Sequence, residues 1–91
     1  MSRIREYPLS LGSGSDIQLV EMPVGSSPVG AVALGGVPTL LVRVDQTIIT
    51  RDRIVRVVVT DETFTDARRY AGSVLISGTL YHVIVGRFVG L

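Results

Sequence analysis

The apolar residues of this chain come in short runs rich in Val, Ile, Leu and Tyr, each cut off by Gly, Pro, Ser or Asp. Runs so short and so punctuated specify strands and leave no window for a packed helix. Strands are expected at about 3–9, 16–22, 29–34, 37–44, 53–60, 73–77 and 79–85. Gly35-Gly36 lies between two such runs and is a two-residue hairpin signal, because glycine accepts the positive φ of a primed turn. Ser77-Gly78 is a second signal of the same kind. The stretch GSGSD at 12–16 reads as a flexible turn. PVGSSPVG at 23–30 reads as a loop, since its prolines cannot donate to a ladder.

Alternation assigns the faces. In TLLVRV, Leu40, Val42 and Val44 share one side, with Thr39, Leu41 and Arg43 opposite. RIVRVVVT is apolar on both sides, as a central strand covered on both faces would be. The polar stretch 60–72 has room for one helical turn around Asp66 to Tyr70, ended by Gly72. The expected fold is all-β: one domain over 1–91, about seven short strands in an antiparallel sandwich or a partly closed barrel.

Composition narrows the function. Apolar residues make up 46% of the chain, more than a small domain hides within itself, so a homo-oligomer is expected. With no cysteine, disulfides, thiolate metal sites and a cysteine nucleophile are excluded. All nine basic residues are arginine, and lysine, asparagine and tryptophan are missing, a bias expected of a GC-rich genome. Without lysine there is no phosphate-binding P-loop. A net charge of +1 is too small to support nucleic-acid binding by bulk electrostatics. No apolar run reaches the ~20 residues of a membrane helix, and the charged start MSRIREYPL lacks a signal-peptide profile. A soluble intracellular protein is expected, with no membrane partner.

His82 is the single histidine, and in its strand it shares a face with Leu80 and Ile84. That setting favours a packed imidazole bonded to a backbone carbonyl or a carboxylate. No serine stands in a nucleophile-elbow context, and no carboxylates recur at metal-ligand spacing. No enzyme activity and no cofactor are therefore expected. Arg68, Arg69 and Tyr70 form the densest cationic spot, suited to a phosphate or carboxylate with a ring to stack on. The alternative use of these arginines is a salt bridge to Asp61, Glu62 or Asp66. Arg51, Arg53 and Arg56 form a second cluster, in which Arg56 is expected to be partly buried and paired. Adjacent Asp61 and Glu62 point to opposite faces of an extended chain, so turn formation suits them better than paired acid chemistry. Arg68, Arg69, Tyr70, Asp61, Arg56 and His82 are the candidate binding residues.

The ordered motifs YPL, VEMPVGSSPVGAVALGGVPTLLVRVD, RIVRVVVT and YAGSVLISGTLYHVIV, over about 4–86, resemble a family of small domains of unknown function. That family occurs mainly in tailed bacteriophages and in bacterial genomes, as prophage. Its members often carry a tryptophan near Leu41 and Thr-Gly-His near 60–62, where this chain has Thr-Asp-Glu. His82 matches the late histidine of the family. The resemblance implies a phage accessory protein in the host cytoplasm, binding a host protein or a small anionic ligand. A structural virion component, such as a decoration or head–tail joining protein, is the second reading.

Overall fold

A computed structural model describes residues 2–11, 17–45, 49–64 and 69–90. The turn expected at 12–16 lies outside them, as do Asp66 and Arg68. Seven strands follow one another: β1 (Arg3–Pro8), β2 (Ile17–Pro23), β3 (Ser27–Leu34), β4 (Val37–Val44), β5 (Thr50–Val59), β6 (Arg69–Ile76) and β7 (Thr79–Phe88). All pairings are antiparallel, in a three-stranded sheet β1-β4-β3 and a four-stranded sheet β2-β5-β7-β6. The arrangement is a sandwich and not a closed barrel. The Cα radius of gyration of 12.6 Å is close to the roughly 12 Å of a compact domain this long.

Both expected hairpins form. Gly35 and Gly36 take φ of 56° and 76°, and Ser77 and Gly78 take 51° and 82°, the two positive values of a primed turn. Ser77 does so with a side chain, which glycine would do with less strain.

The facing layers are those that alternation assigns. Leu40, Val42 and Val44 of β4 meet Val55 of β5 and Val83 and Val85 of β7, with Leu9 and Met22 completing the buried cluster. β5 is a central strand covered on both sides: Arg56 and Val58, on its outer face, are 5% and 2% exposed.

Two expectations need correction. The supposed loop at 23–30 is mostly strand, since β3 begins at Ser27 and includes a buried Pro28. Proline is accommodated because β3 is an edge strand, and a bulge follows it between Pro28 and Gly30. The second concerns 69–72, which belongs to β6 and not to a helical turn. Gly72 ends no helix; its φ of 152° belongs to a bulge between Tyr70 and Gly72.

That bulge seats the sandwich. A Cβ on Gly72 would lie 3.2 Å from the backbone nitrogen of Ala31, so β6 meets β3 of the other sheet at backbone distance. On the opposite side the Gln18 side chain ties β2 to the end of β1. Its Nε2 donates to Ser10 O at 2.6 Å, and its Oε1 accepts from Ser10 N at 2.8 Å.

Candidate functional site

The outer face of the four-stranded sheet brings together three of the six candidate residues, Arg56, Tyr70 and His82. Its rows follow from register: Arg56 pairs with Ile84 and Val58 with His82 across β5 and β7, and Tyr70 with Ile84 and Ser73 with His82 across β6 and β7. Residues directly opposite share a face. Arg56, His82 and Tyr70 therefore lie on one surface with Leu75 and Leu80.

His82 is half-buried and held at both ring nitrogens. The Tyr70 hydroxyl is 2.8 Å from Nδ1, and the Thr60 hydroxyl is 2.8 Å from Nε2. In either neutral tautomer one nitrogen donates its N–H to a hydroxyl oxygen and the other accepts a hydroxyl proton. The Tyr70 ring lies beside the imidazole, centroids 5.7 Å apart and planes at 43°. The expected backbone carbonyl or carboxylate partner is thus replaced by two hydroxyls, both on exposed residues. The reason is register: the bulge after Tyr70 puts that side chain on the outer face, where its hydroxyl reaches the ring.

Because these partners can turn to water, the bonds contribute little net stability. His82→Gln is expected to cost less than about 1 kcal/mol in urea denaturation, as for a surface position. A loss above about 2 kcal/mol would restore a core role for the ring.

The acids and arginines divide differently. Asp61 occupies the turn after β5 with φ of 70°, exposed to solvent. Glu62 closes that turn: its N donates to Val59 O at 3.1 Å, and its Oε1 accepts from Val59 N at 3.0 Å. The turn role expected of these acids is what the structure gives them. Arg56 is buried, as expected. Arg69 pairs in register with Val85 and so starts β6 on the inner side, away from Tyr70. Neither Asp61 nor Glu62 forms a salt bridge with it; among the described residues the ion pair is Arg43–Asp45, at 3.2 Å.

Thr60 is the residue of this face that sequence reasoning left without a role. Thr60 follows Arg56 and Val58 at even spacing, a signal that it shares their face. Its contact with His82 depends on the β5–β7 register, for which the sequence has no local sign.

Among the described residues no helix is long and apolar enough to cross a membrane, and no three His, Asp or Glu residues converge as metal ligands. A family model described as a domain of unknown function (DUF7352) matches residues 1–88. No curated protein and no solved structure matches the chain.

Proposed function

We propose, for a chain that belongs to the DUF7352 family of domains of unknown function, a non-catalytic accessory role in a bacteriophage or prophage. It acts by stoichiometric binding of a host protein in the host cytoplasm. The phage assignment is supported by the ordered motifs from YPL to YAGSVLISGTLYHVIV.

One observation carries the binding mode. The outer face of the four-stranded sheet exposes Leu75, Tyr70 and Leu80 at 65%, 59% and 42% around the tethered His82. Exposed apolar area beside a tyrosine held by hydrogen bonds is the make-up of a protein-binding hot spot. The surface is part of a regular sheet, so ordering it on binding costs little entropy. No carboxylate stands among Tyr70, Ser73, Leu75, Leu80 and His82, and Asp61 lies at the margin beside Thr60. The face therefore suits an apolar partner surface.

A photo-crosslinking residue at position 75 or 80, introduced into the full chain in infected cells, tests this. One host protein joined at both positions, absent with the crosslinker at Val89 and lost in Leu80→Asp, is the expected result. Adducts of the chain with itself alone, or abundant copies in purified virions, would overturn the proposal.

A further inference from the structure

Four strands end the two sheets, β1 and β3 in the smaller one and β2 and β6 in the larger. A bare edge invites pairing with another chain, and edges are kept from it by charge, proline or a bulge. Three of these four carry such protection. Half of β1 is charged, through Arg3, Arg5 and Glu6. β3 has Pro28 and the bulge that follows it, and β6 has Arg69 and the bulge before Gly72.

β2 is the exception. It pairs with β5 without a shift from Ile17 to Pro23, its one charge is Glu21, and its proline is its last residue. Ile17 and Leu19 stand on its outer face, 46% and 58% exposed, beside half-buried Ile54 of β5. On the inner side Val20 is opposite Arg53, whose Nε donates to Gly86 O and Nη1 to Ser26 O, both at 3.0 Å. Gly86 lies in β7, on the far side of β5, so this guanidinium turns away from β2. Glu21 is directly opposite Asp52; both are exposed, and neither forms an ion pair among the described residues. Like charges so placed repel each other.

We propose that β2 pairs antiparallel with β2 of a second copy, joining two four-stranded sheets into one continuous sheet about a two-fold axis. A strand that meets its own copy in this way forms an isologous, closed interface. Residues directly opposite share a face, so the axis passes beside one residue of β2. Centred on Leu19, the pairing sets Leu19 against Leu19 and Glu21 against Ile17 of the second copy. Ile17, Leu19 and Ile54 of both copies then form one apolar strip. The row of Glu21 runs Asp52, Glu21, then Ile17 and Arg56 of the second copy. The two acids thereby gain a guanidinium residue two strand spacings from Glu21, about 10 Å between backbones. Centring on Glu21 would put four carboxylates in one row, and centring on Val20 would set Glu21 against Leu19. Charge complementarity selects the Leu19 register.

β2 and β6 are opposite edges of the sheet. The joint therefore leaves Tyr70, Leu75 and Leu80 uncovered, and it does not rest on the protein-binding reading.

Light scattering of the full chain over a dilution series should approach twice 9.8 kDa at the concentrated end. Leu19→Arg, at an exposed position, should return 9.8 kDa with an unchanged β-sheet circular dichroism spectrum. The chain has no cysteine, so Leu19→Cys reports the register by itself. On oxidation it should give a covalent dimer, since opposite Cα atoms about 4.5–5.5 Å apart are within disulfide reach. Leu75→Cys, at the other edge, should not. If Leu19→Arg unfolds, the two cysteine variants decide. A mass of 9.8 kDa throughout the series, a dimer that persists in folded Leu19→Arg, or equal crosslinking of the two cysteine variants would overturn the proposal.

Discussion

Replacing Leu40 by alanine is expected to remove about 3–5 kcal/mol of folding stability, the upper part of the range for buried Leu-to-Ala changes. Leu40 is fully buried in β4, the middle strand of the smaller sheet, and packs against residues of both sheets. A three-stranded layer has few ways to collapse onto the space that the side chain leaves, so a cavity persists. The total stability of a domain this size is roughly 5–14 kcal/mol, so the variant loses a large share of it. Its melting temperature should fall by more than about 12 °C, at about 4 °C or more per kcal/mol. Urea denaturation with an unchanged m-value and a loss below about 1.5 kcal/mol would show that β4 repacks, against the tight fit described here.

Gly72→Ala should cost about 1–3 kcal/mol, a large effect for the addition of one methyl group. Two causes combine. A φ of 152° is a conformation that side-chain-bearing residues rarely adopt, and the new Cβ would meet Ala31 N at 3.2 Å and Ala31 Cβ at 3.4 Å. Either the bulge straightens or β3 moves away from β6, and each weakens the seam between the sheets. Ala31→Gly removes the methyl contact but not the clash with the nitrogen or the strained φ. A double-mutant cycle should therefore recover only part of the loss. Gly36→Ala is the contrasting control, because its Cβ meets nothing within 4 Å and only its φ opposes substitution. Equal losses at the two glycines would mean that close packing of β3 against β6 has no part in the requirement at Gly72.

The positions of the strands were readable because their causes are local. Gly35-Gly36 and Ser77-Gly78 state where the chain reverses, and the 40, 42, 44 alternation states which side of β4 is buried. The start of β6 was not readable. Arg69 and Tyr70 look like loop residues by polarity, and they are strand because pairing with Val85 and Ile84 supplies their backbone partners. Pro28 is a similar case. A proline argues for a loop until edge position is known, and edge position is a property of the sheet.

The sites divide along the same line. Tyr70, Arg56 and His82 could be chosen by residue type, but not placed together, because β5, β6 and β7 meet through pairings distant in sequence. The polar partners of His82 could not be found, since Thr60 and Tyr70 are respectively 22 and 12 residues away in the chain. Arg69 was grouped with Tyr70 as its neighbour, yet adjacent strand residues face opposite sides. It shares the inner side of the sheet with Arg53, on the strand across β7. By itself the sequence determined the all-β class, both hairpins and the core face of β4, because turn chemistry and period-2 burial act over a few residues. The tertiary structure alone decided the two-sheet order, the seam at Gly72, the hydroxyl tethers of His82 and the carbonyl partners of Arg53. Each of these follows from strand register, which is set by the cooperative packing of the whole sandwich.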